Sequence, residues 1–186
     1  PEELAALSEA LAHRGPDGEG FFRDAAAGIG LVHRRLAIID PTGAAAQPMT
    51  SCGDRYTIVF NGEIYNFPVL AKELAGHGYA FNMHSDTAVI APLYDRHGLD
   101  CLTRLDGIFA FAIWDARERE LVVARDALGV KPLYYTQAGG RLAFASELKA
   151  LLAIPGPGRD IDQAALADYL VRLWSPGPRT MLRDVR

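Results

Sequence analysis

Cysteine is scarce in this sequence: Cys52 and Cys101 are the only two among 186 residues. Two thiols cannot staple a disulfide framework, and neither sits in a CxxC or Cys/His pattern with zinc spacing, so both are read as free. Positive charge is also in deficit, with 19 Lys and Arg against 23 Asp and Glu and a formal net charge of −4. That leaves no basic face for nucleic acid or an anionic membrane surface, and neither is expected as a partner. No apolar run approaches the roughly 20 residues that span a bilayer, and the first residues lack a basic-then-apolar signal pattern. The expected location is the cytoplasm. A G-x-x-x-x-G-K-S/T loop and a G-x-S-x-G elbow are both missing, so no signature of phosphate binding or of a serine nucleophile is present. The five histidines are scattered without ligand spacing, His77 and His84 being the nearest pair, and no metal site is expected.

What the chain does have is a composition suited to one packed domain, 49% hydrophobic and 23% charged. Leu4, Leu7 and Leu11 at helical spacing behind Pro1-Glu2-Glu3 predict an opening helix. His13–Phe22, with three glycines and a proline, reads as a loop in which Arg14 and Asp17 are the candidate charges. Gly28–Asp40 reads as a buried strand, and Pro41–Arg55 as a loop. Tyr56–Phe60 is aromatic and β-branched, which predicts a strand interrupted by Asn61-Gly62, with a helix over Phe67–Gly76. Tyr79–Phe81 reads as a strand, Ser85-Asp86-Thr87 as a helix start, and Leu99–Leu105 as a short helix. Gly107–Trp114, Glu120–Arg125, Pro132–Thr136 and Arg141–Ser146 are four strands in succession, so antiparallel pairing is expected. A helix started by Ser146-Glu147-Leu148-Lys149 and running through Ile154, a Pro-Gly linker, a helix over Asp162–Trp174 and a tail over Ser175–Arg186 complete the chain.

Three places carry candidate chemistry. Asn61-Gly62 is either a simple turn or a carboxamide and an unhindered N–H aimed at one spot, as an oxyanion hole requires. Arg35 intrudes into an apolar run, either paired with an acid of the fold or held ready for a ligand carboxylate by a bidentate contact. Asp86 is either a helix cap or an anion whose free oxygen accepts a bond from a ligand ammonium.

The ordered motifs HRGPDG at 13–18, HRRLAIID at 33–40, FNGEIYN at 60–66, HSDT at 84–87, RDALGVKPLYY at 125–135 and FASELKALL at 144–152 resemble the glutaminase domain of glutamine-dependent asparagine synthetases. The resemblance runs from His13 to about Ile154 and implies an α+β, N-terminal-nucleophile hydrolase-like fold, a four-layer α/β/β/α sandwich of two antiparallel sheets. Residues 1–154 are then the class II glutamine amidotransferase domain. Residues 155–186 are a linker, helix and tail leading toward an ATP-dependent synthetase domain. L-Glutamine is the implied substrate, hydrolysed to glutamate and ammonia for amidation of aspartate. Cofactors are implied only for the synthetase half, as ATP and magnesium; partners are that half and, left open, a second copy in a homodimer.

By position, Arg35 is implied to hold the glutamine carboxylate and Asp86 to receive its α-ammonium, with Leu36, Ala37, Ile38 and Ile39 lining the pocket. Asn61 and Gly62 correspond to the oxyanion-hole pair, and Glu63 beside them to a further glutamine contact. The family's nucleophile is a terminal cysteine, whereas this sequence opens on Pro1. Either that segment is trimmed, which is the expectation here, or the domain is a non-catalytic module of its synthetase. As it stands, the chain is expected to be inactive.

Overall fold

The computed structural model describes residues 1–36, 46–80 and 85–186. They divide into two compact units, one formed by Ala12–Lys131 and the other by Pro1–Leu11 with Pro132–Arg186.

The larger unit is built on an antiparallel sheet in the order β3 (Met49–Ser51), β4 (Tyr56–Ile64), β5 (Gly107–Asp115) and β6 (Glu120–Arg125), beside a hairpin of β1 (Gly18–Asp24) and β2 (Ile29–Arg35). Alternation along β4 and β5 puts Ile58, Phe60, Phe109, Phe111 and Ile113 on one face. There they meet Leu70 and Leu74 of α2 (Phe67–Gly76) and Val89, Ile90 and Leu93 of α3 (Thr87–His97), all fully or nearly fully buried. Leu70 and Leu74 are four apart on α2, and Leu93 lies three and four residues beyond Ile90 and Val89 on α3, which is why one stripe of each helix covers the sheet. Arg55 ties the far end of β4 together: its guanidinium grips Asp115 and Asp95, while the Tyr56 and Tyr79 hydroxyls donate to Asp95 at 2.8 and 2.6 Å.

Several expectations are corrected in this unit. The predicted break at Asn61-Gly62 does not occur: β4 continues in register to Ile64, with Asn61 opposite Ala110 and Gly62 opposite Phe109. The cause is steric. A Cβ on Gly62 would strike the Ile108 carbonyl, and one on Gly107 the Glu63 carbonyl, so two bare α-carbons let the strands close where a turn is otherwise expected. Of the glycine-rich His13–Phe22 segment, His13 and Arg14 end a 3-10 turn, Gly15 to Asp17 are irregular, and from Gly18 it is strand β1, because pairing with β2 supplies partners that local composition does not foresee. The loop expected over Pro41–Arg55 contains β3. The short helix expected over Leu99–Leu105 is present as a 3-10 helix over Gly98–Arg104; of the strand expected over Tyr79–Phe81, Tyr79 and Ala80 are not strand and Phe81 lies outside the described residues.

In the smaller unit β7 (Tyr134–Ala138) and β8 (Arg141–Ala145) form a hairpin through Gly139-Gly140, both at positive φ as a two-residue turn of this kind requires. The four successive strands thus split into two hairpins in separate sheets. Helix α1 (Glu2–Ala10), opened by Pro1 as its N-cap, contributes Leu7 and Ala10 to a small core with Ala150 and Leu151 of α4 (Leu148–Leu151). The C-terminal residues are packed as well: Val185 is fully buried in that core, and Arg186 exchanges two backbone hydrogen bonds with Tyr135 at 2.7 and 2.9 Å. Helix α5 (Gln163–Arg172) is capped by Asp162, whose carboxylate accepts from the N–H groups of Ala164 and Ala165.

Candidate functional site

The ladder of β4 sets the geometry. In an antiparallel pair, successive residues turn their N–H and C=O alternately toward and away from the partner strand. Phe109 spends its own pair on the β6 side, its carbonyl accepting from Asp126 N–H at 2.7 Å and its N–H donating to Asp126 Oδ2 at 3.2 Å. Its opposite number Gly62 therefore faces away from β5, as do Phe60 and Ile64 by the same parity. Strand β3 covers that edge only as far as Ile58.

Beyond Ile58 side chains take over the edge. Phe60 N–H donates to Gln47 Oε1 at 2.6 Å, and His33 Nε2 donates to the Phe60 carbonyl at 3.1 Å. Two residues further, Ile64 N–H donates to Asp86 Oδ2 at 3.0 Å. Gly62 N–H lies between these two anchored points, on the same edge.

Asn61 stands on the sheet face opposite the Phe60 core, above the small Ala110. Its Nδ2 is buried and has no hydrogen-bond partner among the described residues. An unmet buried donor costs about 1–3 kcal/mol, so it is retained where something else compensates. Two adjacent donors, one carboxamide and one backbone N–H, suit an oxygen that gains negative charge.

Asp86 performs the cap predicted for it, Oδ1 accepting from Thr87 N–H at 2.8 Å. The expectation of a free second oxygen is corrected, because Oδ2 accepts from Ile64. Burial pushes the Asp86 carboxyl above the usual range, against the lowering effect of the Ile64 and Thr87 N–H groups, and Glu63 adds to the rise. A cation brought beside it would relieve that cost. Glu63 itself is exposed.

Arg35 closes β2 on the same face as His33, two residues away, so the His33–Phe60 bond brings the Arg35 end of β2 to the Asn61 region of β4. It is half-buried, and its carbonyl accepts from Asp17 N–H at 3.0 Å. Its neighbour Arg34 points the other way and pairs with Glu19 at 2.8 Å. Leu36 is 55% exposed, and Ala37, Ile38 and Ile39 lie outside the described residues.

Both thiols pack with the core of the larger unit. Cys101 is buried in the 3-10 segment, its thiol pushed up to about 11 by burial. Cys52 follows β3 at positive φ, its thiol also raised by burial. A thiol kept protonated is a poor nucleophile. Among the described residues no group of three His, Cys, Asp or Glu is arranged to hold a metal ion, and no helix is long and apolar enough to cross a membrane.

Sequence reasoning missed His33, Gln47 and Asp126. His33 had a readable signal, an i, i+2 relation to Arg35 on one strand face. Gln47, in an irregular segment bonded to a residue 13 positions away, had none.

The sequence matches the family described as "Glutamine amidotransferase domain" over residues 1–186. It is 40% identical over 185 residues to glutamine-hydrolysing asparagine synthetase 1 of Bacillus subtilis (strain 168), covering 100% of this chain and 29% of the relative. Glutamine-hydrolysing asparagine synthetase 2 of Arabidopsis thaliana is 44% identical over 148 residues, 78% of this chain and 24% of the relative. The chain thus spans under a third of the length of these relatives. Among solved structures, a glutamine phosphoribosylpyrophosphate amidotransferase from B. subtilis, complexed with ADP and GMP, matches with a TM-score of 0.68 at 23% identity, over 83% of this chain and 41% of that one.

Proposed function

The chain belongs to the glutamine amidotransferase domain family and has its α+β, N-terminal-nucleophile hydrolase-like fold, and from that premise we propose that Asn61 and Gly62 form the oxyanion hole of a glutaminase site. The domain hydrolyses L-glutamine, and the ammonia serves an asparagine-synthetase-type amidation of aspartate in a longer polypeptide.

A thiolate attacks the side-chain amide carbon of glutamine, and the carbonyl oxygen takes up negative charge in the tetrahedral intermediate. Asn61 Nδ2 and Gly62 N–H donate to that oxygen, which stabilises the intermediate more than the ground state. Ammonia leaves, and water then releases glutamate from the thioester. Arg35 holds the α-carboxylate by a charge-assisted fork. Asp86 accepts from the α-ammonium with the lone pairs that Ile64 and Thr87 leave, and Glu63 contacts the same end of the substrate. In the full-length polypeptide the attacking thiol is a terminal cysteine, as the family resemblance implies, with that polypeptide's own terminal amine as base; Cys52 and Cys101 are raised by burial. ATP and magnesium chemistry belongs to the synthetase half.

The observation that carries this reading is the buried, unpartnered Nδ2 of Asn61 beside a glycine N–H on an open strand edge. In the full-length polypeptide, Asn61→Ala should lower kcat for glutamine by roughly 10²–10³ with KM little changed. A raised KM with kcat intact would move Asn61 from the intermediate to substrate binding and defeat the assignment.

A further inference from the structure

The open edge of β4 is held at one residue by two side chains that come from different elements and have no other shared task. Phe60 N–H donates to Gln47 Oε1 at 2.6 Å, and the Phe60 carbonyl accepts from His33 Nε2 at 3.1 Å. Together they mimic the next rung of a sheet, a donor and an acceptor on the same residue, where β3 has already ended at Met49 opposite Ile58. A carbonyl can only accept, so the imidazole carries its proton on Nε2, and Nδ1 is left as a buried atom with no partner among the described residues.

The approach that makes this possible is built into the backbone. His33 is paired across the hairpin with Gly20, and a Cβ at Gly20 would collide with the Gln47 carbonyl. The bare α-carbon lets the Gln47 segment lie against β1 at the rung where β2 presents His33. One glycine, one imidazole and one carboxamide therefore converge on the peptide groups that lead directly into Asn61.

We infer that His33 and Gln47 are positioning residues for the oxyanion hole, fixing the Phe60 peptide groups so that Asn61 and Gly62 present their donors without rearrangement. The inference rests on the glutaminase reading above. Oxyanion stabilisation depends on donors being in place before charge develops, and a displacement of about 1 Å can cost on the order of 10²-fold in rate. His33 and Gln47 touch neither substrate nor reacting atoms.

The test is a double-mutant cycle on glutamate release by the full-length polypeptide. Removing the donor in His33→Phe, or the acceptor in Gln47→Leu, should lower kcat about 10-fold or more with KM within about twofold. His33→Gln and Gln47→Glu, which keep a donor and an acceptor at similar reach, should recover most of that loss. In an Asn61→Ala background, His33→Phe should lower kcat clearly less than in the parent, because one of the two donors it positions is already gone. An undiminished kcat in both His33→Phe and Gln47→Leu, or an equal loss with and without Asn61, overturns the inference while leaving the glutaminase reading intact. If Asn61→Ala alone leaves kcat unchanged, the oxyanion-hole assignment of Asn61 fails first and the inference with it, while glutamine hydrolysis itself stands. Should His33→Phe lower the thermal midpoint too far to assay, Gln47→Leu in the two Asn61 backgrounds decides by the same criterion.

Discussion

Asp126 and Asp86 are both poorly exposed carboxylates, yet their surroundings drive them in opposite directions. Burial pushes Asp126 up, but the N–H groups of Lys131, Val130, Phe109 and Leu128 outweigh it and hold the group below the usual range. Its bonds to Val130, Lys131 and Phe109 are 2.9, 3.0 and 3.2 Å. At Asp86 two N–H groups do not offset burial, and the carboxyl stays raised. A depressed folded value means that the unfolded chain binds the proton more readily, so Asp126 stabilises the fold above its unfolded value of about 3.9 and loses that contribution as pH falls through the folded value. Asp126→Asn should therefore cost about 2 kcal/mol at neutral pH and make the acid-side fall in stability shallower. Thermal midpoints of both proteins between pH 2 and 7 check this; parallel curves would show that Asp126 is not ionised in its nest. At this scale the sequence was legible where the residue type names its own job. Asn61 with Gly62, Asp86 at a helix start and Arg35 in an apolar run each pose a physical question by themselves. Asp126 and Gln47 pose none, since their partners are backbone groups that only the fold delivers.

At the scale of elements, the site depends on how closely β4 and β5 approach. Gly62 and Gly107 remove the two side chains that would hold the strands apart, and the register from Tyr56–Asp115 to Ile64–Gly107 is unbroken through them. A local reading of Asn-Gly between β-prone runs favours a turn, because it weighs φ tolerance and does not see the partner strand. The same blindness hid β1, where Gly20 serves close approach and not a loop; the four successive strands do pair antiparallel as expected, as two hairpins. The helices α2 and α5 were read nearly to their ends, since caps and 3.6-residue stripes are local signals, whereas the helix expected through Ile154 is only Leu148–Leu151. Gly62→Ala should destabilise the protein by about 2 kcal/mol through forced strand separation, measured by denaturant unfolding. Gly76→Ala, at the end of α2 with open space around its α-carbon, is the control and should be neutral or slightly stabilising. Equal stability of Gly62→Ala and the parent would refute the close-approach account.

For the whole molecule, the described residues hold an open strand edge with a buried, unpartnered Asn61 Nδ2 and two thiols raised by burial, and the two relatives compared above are more than three times the length of this chain. The C-terminal residues, expected as a tail, instead pair with β7 and bury Val185, which a Pro- and Arg-rich stretch does not advertise. What remains is whether the site turns over glutamine when the full polypeptide supplies a terminal cysteine. Glutamate and ammonia released from L-glutamine by that polypeptide, measured beside a variant with the terminal cysteine changed to alanine, tests this most directly. The account predicts equimolar release that the alanine variant abolishes, while the variants of Cys52 and Cys101 retain it. No release from a folded, cysteine-initiated polypeptide, or release that survives loss of that cysteine, would contradict it.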